Sequence, residues 1–474
     1  MTQQKNRVLS SGGCPGIHDT YSKTNMPLTL LPPFQPAGVK WLLDRENDDG
    51  VRGGFLCDEM GIGKTAQLVA TMCRNPLPKT LIVVPKSIVG QWRNEIEKFT
   101  DGLMPVRMFD GPNRLERIGD LTHFEGVVLA PYSVMNAQSL LHDYKWDRLI
   151  LDEGHEIRNS KTKVHQCLAA LDAGIKWVVS GTPVFNSMKD FVALCSFVGL
   201  TRGDVLRDYE RIRQKYVLRR TKESKSAVDT IELDMYPEEQ QLYTKAFQYG
   251  QGLLDSTDNA IIMLEGILRL RQVMTWPQLF TDGLAIKENT DPELYTGRSK
   301  KHEVLMESIE SHPDEKALVF TQFTVETDRV QEMLTERGIP TFRIDGHVTD
   351  KEEREIRIEQ FRQAPPNAVF LIQIRAGGVG LNLQEASRVY ITSPAWNPAT
   401  ELQAIGRADR TGQKRTVHVT RMVYRTFPGV NSIEEFMMDL HEKKSNIVAD
   451  ILGGQKKGGS SDLTMRTIAK IFSV

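Results

Sequence analysis

Cysteine is scarce and poorly placed for chemistry. Five are scattered over 474 residues, none follows Cys195, and no two form a CxxC pair. That argues against a disulfide framework and against a cysteine-paired zinc site, so no bound zinc is expected. Long apolar runs are missing as well. None approaches the ~20 residues of a membrane-spanning helix, and the polar N-terminal stretch has no signal-peptide core. These absences predict an intracellular protein without membrane contact. Neither sign of charge is in excess, since 60 Lys and Arg face 61 Asp and Glu. Affinity for a polyanion must then come from a local patch. One candidate runs from Leu206 to Lys225 and includes Arg219, Arg220 and Lys222. A solvated helix face would have the same composition.

One more absence is local. "FLCDEMGIGKTAQLVATM" (55–72) ends an apolar run in a glycine-bearing loop and then turns helical. A strict phosphate-binding loop reads GxxxxGK[ST], and counting back from Gly63-Lys64-Thr65 its first glycine is replaced by Asp58. The tail of the motif keeps its logic. Backbone N–H groups along Asp58, Met60, Gly61, Ile62, Gly63 and Ala66 can cradle phosphates at a helix start. Lys64 offers a compact positive charge, and Thr65 a hydroxyl ligand for Mg²⁺. A plain glycine-rich turn is the alternative.

What is present in quantity is a repeated α/β pattern. Short apolar runs end at Cys57, Pro85, Pro131, Glu153 and Pro183, separated by helical patterns. Such runs indicate a parallel sheet covered on both faces. A second series covers 316–323, 341–346, 368–378, 388–394 and 417–424. Between the series, 205–297 is charged, helical in period and without a convincing strand. The expected division is a flexible segment 1–26, a first lobe 27–204, a helical linker 205–297, a second lobe 298–452 and a flexible tail 453–474.

Reactive residues follow the apolar runs, as expected at the carboxyl edge of a parallel sheet. "LILDEGH" places Asp152 to hold Mg²⁺ and Glu153 to orient or deprotonate a water. An acidic turn at a strand end would look similar. Ser180 and Thr182 in "VVSGTP" are candidate couplers to the second lobe. There, "RAGGVGLNL" (375–383) is a glycine loop, and Arg407 and Arg410 share a face if helical. A second lobe offering arginines to a nucleotide on the first would make phosphoryl transfer depend on closure.

In order, "DEMGIGKTAQ", "LDEGHEIRN", "SGTPVFN", "LRLRQVMTWPQLF", "VFTQF", "RAGGVGLNL", "WNP" and "QAIGRADRTGQ" resemble the Swi/Snf family of DNA-translocating ATPases within helicase superfamily two. The resemblance covers about 28–453. It implies two tandem RecA-like lobes, a helical insertion and a C-terminal brace helix from "SIEEFMMDLHEKK", with ATP and Mg²⁺ as cofactors. In that family the first loop position is a small residue or Asp. By resemblance Gln35 reads adenine, and Gly378, Gln403, Arg407 and Arg410 complete the site from the second lobe. Pro85, Lys86, Ser87, Thr321 and Gln322 fall where the family grips DNA phosphates, and Trp396 packs near the lobe interface.

Asp409 stands where the family usually has histidine, and Gln373 and Ile374 replace small polar residues, which bears on interlobe coupling. The wording leans toward a branch that often carries a zinc RING, which the cysteines here cannot supply. No bromodomain- or chromodomain-sized segment is left over, so a bare, monomeric motor is expected. The implied function is ATP-driven translocation on double-stranded DNA that remodels or displaces bound proteins such as nucleosomes. A strand-separating helicase, a transcription-coupled ATPase and a nucleotide-sensing scaffold without turnover are the alternatives. The implied location is the nucleus of a eukaryote, or otherwise the bacterial cytoplasm, or the host cell or virion of a large DNA virus.

Overall fold

A computed structural model of the chain describes residues 30–181, 187–221, 226–256, 260–348, 350–374, 376, 381–410, 412–453 and 470–472. The first sheet has seven strands: β1 (Gly53–Leu56), β2 (Lys79–Val84), β3 (Val106–Met108), β4 (Gly126–Pro131), β5 (Trp146–Asp152), β6 (Ala173–Val179) and β7 (Val217–Leu218). Their order is β3-β4-β2-β5-β6-β1-β7, every pair parallel. The second has β8 (Ser226–Leu233), β9 (Ala317–Thr321), β10 (Thr341–Ile344), β11 (Val369–Gln373), β12 (Arg388–Ile391) and β13 (Val417–Tyr424), also parallel, in the order β10-β11-β9-β12-β13-β8. Apolar runs become central strands because both faces are covered; Leu149, Ile150 and Leu151 of β5 are fully buried. The carboxyl edge that results is where loops can carry polar chemistry.

Helix α1 (Phe34–Glu46) is fixed against the first sheet at its far end. Glu46 is buried and accepts from Arg148 Nε at 2.6 Å, Asn75 Nδ2 at 2.7 Å and Trp177 Nε1 at 3.0 Å. An ion pair so enclosed contributes mainly by being fully hydrogen-bonded, and removing one partner would leave a bare buried charge. The other end of α1 is thereby aimed at the phosphate loop. After that loop comes α2 (Lys64–Arg74).

The expected strand-free linker is corrected by the structure. Residues 217–218 and 226–233 are the edge strands of the two sheets, so the chain passes from one lobe to the other between 218 and 226. Strand β8 carries no apolar run because an edge strand is largely solvent-facing. Its residues 227–230 are exposed, which hid it from a periodicity reading. The helical part is α3 (Pro237–Ser256), α4 (Ala260–Thr275) and α5 (Gln278–Glu288), and it packs onto the core of the second lobe.

Two later helices matter to the site: α6 (Pro398–Ile405) and α7 (Ile433–Gly453). The start of α7 buries Ile433 and Met437 in the second lobe, while Ile447, Ile451 and Leu452 join the first lobe's core. The i, i+4 spacing within each group gives one helix two apolar contacts a few turns apart. Arg213 of the first lobe donates to the Leu452 carbonyl at 3.0 Å near the helix end. Trp396 is partly buried against the second lobe's core. The expected tail needs a second correction: Ile471 and Phe472 are buried against α3.

Candidate active site between the lobes

Both sheets turn their carboxyl edges toward one cleft of about 610 Å³. Its walls include Gln35, Gly61, Gly63, Lys64 and Thr65 from the first lobe, with Asp152 and Glu153 beyond β5. Gln403, Arg407 and Arg410 face them from the second. Residues more than 250 positions apart thus share a space of ordinary ligand-pocket size.

The loop is shaped by backbone geometry at Gly63, which holds φ +88° in the left-handed region before α2. A Cβ there would lie 2.3 Å from Gln35 Nε2, so glycine alone fits. Gln35 is spent on the loop itself: it donates to Ile62 O at 3.1 Å and accepts from Leu31 N at 2.8 Å. Lys64 Nζ turns back onto the carbonyls of Asp58 at 3.0 Å and Glu59 at 3.3 Å. Burial lowers its pKa, opposed by the charges of Glu153 and Asp152.

Asp58 does not face the cleft. Its fully buried carboxylate accepts from Arg220 N at 3.1 Å and Nε at 2.9 Å, pairs with Arg220 Nη2, and takes Gln67 Nε2 at 3.3 Å. The residue in place of the loop's first glycine is an anchor for the segment leaving the first lobe. Arg220, expected on nucleic acid, is committed to that anchor and to Phe34 O at 2.6 Å. Arg219 is exposed, and Lys222 lies outside the described residues, as do Thr182 and Gly378.

Asp152 Oδ2 accepts from Trp92 Nε1 at 2.7 Å, and Oδ1 from Glu153 N at 3.0 Å. Burial, and then the adjacent Glu153 charge, push its carboxyl up to about 6. A divalent cation would reverse that by favouring the charged form. Glu153 holds φ +50°, strained for a residue with a Cβ. Burial raises its pKa, but His155 at 3.3 Å, Lys64 and Ser180 Oγ at 3.2 Å outweigh it and hold the carboxyl below its usual range. Gln403 Nε2 crosses from the second lobe to Glu153 Oε1 at 3.2 Å. Trp92 and His155 were missed by sequence reading. His155 could have been found from its place in "DEGH", whereas Trp92 is 60 positions from Asp152 and gave no signal.

The second lobe's side of the cleft is unfinished. Arg407 is buried, yet among the described residues its Nε has no hydrogen-bond partner, and neither has Asn382 Oδ1. Burial lowers the Arg407 pKa to about 10, helped by the neighbouring Arg410 charge and opposed by Glu153. Arg410 Nε donates to Gly406 O at 3.1 Å. An unpaired buried donor is costly, so the Arg407 side of this wall fits an anion placed between the lobes. With Thr65 and Asp152 as hard oxygen ligands across from it, the residues present suit a Mg²⁺-bound polyphosphate.

The expected DNA-gripping residues divide. Lys86 and Ser87 are exposed beyond β2, and Ser87 reaches the cleft wall. Thr321 is corrected: it is fully buried, with Oγ1 2.6 Å from Thr327 Oγ1, and has no surface to offer a phosphate. Gln322 is half-buried, donates to Ser393 O at 3.0 Å and accepts from Arg271 at 3.1 Å. Asp409 accepts from Ser226 at 2.8 Å and so pins β8, at the lobe connection, to the arginine segment. Gln373 accepts from Gly346 N at 3.3 Å, and Ile374 is buried.

Residues 34–226 match the family model described as SNF2-related domain, and 300–412 match the helicase conserved C-terminal domain. The DNA excision repair protein ERCC-6-like of Bos taurus is 28% identical over 89% of this chain, which spans only 42% of that relative's length. The probable global transactivator of Orgyia pseudotsugata multicapsid polyhedrosis virus is 29% identical over 93% of this chain and 94% of its own. Among solved structures, a Sulfolobus solfataricus SWI2/SNF2 ATPase core in complex with dsDNA is 23% identical, with a TM-score of 0.41 over 94% of this chain and 97% of its own.

Proposed function

Because the chain belongs to the SNF2-related family of helicase-like, DNA-dependent ATPases, we propose that it is an ATP-driven translocase on double-stranded DNA that displaces or remodels bound proteins. The observation that carries this reading is the split cleft, in which Gln403 reaches Glu153 across the lobes while Arg407 Nε, among the described residues, is buried without a partner. A site divided in this way makes turnover depend on lobe position, which is what a motor needs.

In this reading Gln35 turns its amide from Ile62 O and Leu31 N to the adenine edge, and Lys64 releases the Asp58 and Glu59 carbonyls to take the outer phosphates. Mg²⁺, held by Thr65 and Asp152, would neutralise phosphate oxygens as charge shifts to the leaving group. Glu153 orients the attacking water and accepts its proton. Arg407 and Arg410 meet the charge that develops on the transferred phosphoryl group, a contribution typically worth ~10³–10⁵ in rate for an arginine finger. Lys86, Ser87 and Gln322 grip DNA phosphates, a mode independent of sequence.

The test is ATPase activity without nucleic acid, with single strands and with duplex, alongside displacement of a third strand and opening of a fork. Duplex should stimulate strongly, with an effect that fades steeply as salt rises. The third strand should be displaced while the fork stays paired. A separated fork with the third strand left in place would instead make the protein a strand-separating helicase.

A further inference from the structure

The helical hairpin of the second lobe contains a notch already filled by a distant piece of the same chain. Ile471 and Phe472 are 1% and 4% exposed, although residues 454–469 separate them from the end of α7. The Phe472 ring lies 5.5 Å from that of Phe247 on α3. Gln251 Nε2 donates to Phe472 O at 3.0 Å, and Asn431 Nδ2 to Ile471 O at 3.5 Å. Two helix-interior glycines make room for the ring. A Cβ on Gly250 of α3 would stand 2.1 Å from Phe472 Cε1, and one on Gly266 of α4 would stand 3.2 Å from Cζ. Glycine is disfavoured inside helices, so a pair of them facing one ring needs a reason. Close approach of the two helices is one, since the same Gly266 Cβ would be 3.1 Å from Gly250 Cα.

We propose that this notch is a docking site for a short aliphatic–aromatic peptide, with Ile471–Phe472 of this chain as its releasable occupant. The occupant contributes two side chains and two main-chain acceptors, too little for tight binding as a free peptide. Attachment through sixteen residues, 454–469, supplies the missing affinity. A short tether gives an effective concentration in the millimolar range, enough to fill a weak site most of the time. Sixteen residues can span up to ~55 Å at ~3.4 Å per residue, so chain length does not hold the segment against α7. Ile262, one turn before Gly266 on the same helix face, is 38% exposed and extends the apolar rim.

The probe is a fluorescent peptide of residues 463–474, titrated by anisotropy onto the full chain. Ile471→Ala/Phe472→Ala chain, its notch emptied, should bind with a Kd of roughly 10⁻⁵–10⁻⁴ M, as expected of an occupant that fills its site through a millimolar tether. The wild-type chain should bind at least ~10-fold more weakly, because its own segment competes. A peptide carrying Phe472→Ala should not bind, nor should the emptied chain with Gly250→Ala added. Equal affinity for wild type and emptied chain, or no binding to the emptied chain below ~1 mM, overturns the proposal. So does failure of the Ile471→Ala/Phe472→Ala chain to fold by circular dichroism, since the segment would then be core.

Discussion

On the first lobe Gln35, Lys64 and Asp152 each hold a partner from their own lobe, whereas on the second Arg407 Nε and Asn382 Oδ1 are buried with none among the described residues and Gln403 reaches across to Glu153. The first wall is a finished holder that keeps its shape through internal hydrogen bonds. The second leaves a buried guanidinium nitrogen at the cleft wall. A buried donor without a partner costs about 1–3 kcal/mol, so an anion that meets Arg407 is favoured by lobe closure, and closure by the anion.

The contrast is broken most severely at the Gln403–Glu153 bridge. Glu153→Gln should lower kcat by at least ~10³ while nucleotide binding persists, since the holder is untouched. Lys64→Ala, by contrast, should lose turnover and binding together. Wild-type rates in either variant would remove the site assignment.

The two arginines sharpen it next. Arg410→Ala should cut kcat by ~10³ with ATP affinity within a few-fold, and Arg407→Ala should do at least as much, because Arg407 has the unpaired nitrogen and lies near Glu153. A silent Arg410→Ala would leave Arg407 as the sole finger. Single-turnover kinetics at saturating duplex distinguish these outcomes.

Stability should respond on the finished side. Arg220→Ala strands the buried Asp58 carboxylate and should cost about 3 kcal/mol, lowering Tm by ~6–12 °C. Duplex affinity should change less than two-fold, and a large loss there at unchanged Tm would restore Arg220 to the DNA surface.

The smallest effect lies inside the second lobe. Burial raises the Glu326 pKa from 4.5 to about 7, against hydrogen bonds from Thr392, Gln322 N and Phe323 N. A carboxyl that holds its proton more tightly when folded stabilises fully below about pH 4.5, and that contribution fades as pH rises through about 7. Glu326→Gln should flatten this slope, at most ~1.4 kcal/mol per pH unit, in denaturant melts across pH 5–7.

Sequence made legible what is contiguous. Apolar runs located the central strands, and Gly63, Lys64, Thr65, Asp152 and Glu153, singled out by their spacing, line the first lobe's side of the cleft or its edge. It failed where identity depends on a distant partner. Strand β8 is an exposed edge, Thr321 looks like a surface hydroxyl until its burial is seen, and Arg220 reads as one of a basic cluster. Asp58 looked like a flaw in a motif because its partner is 162 positions away.

That pairing also limits how far the molecule can come apart. With Arg220 moored to Asp58, only six Cα steps remain before Ser226 opens the second sheet. Fully drawn out, they reach ~20 Å. While the mooring holds, the second sheet's edge strand stays on a short leash, whatever is bound between the lobes. The cleft's two halves therefore meet again within a small volume rather than by long-range search, and cutting the mooring would lengthen the leash by two residues and loosen the floor of the phosphate loop at the same stroke.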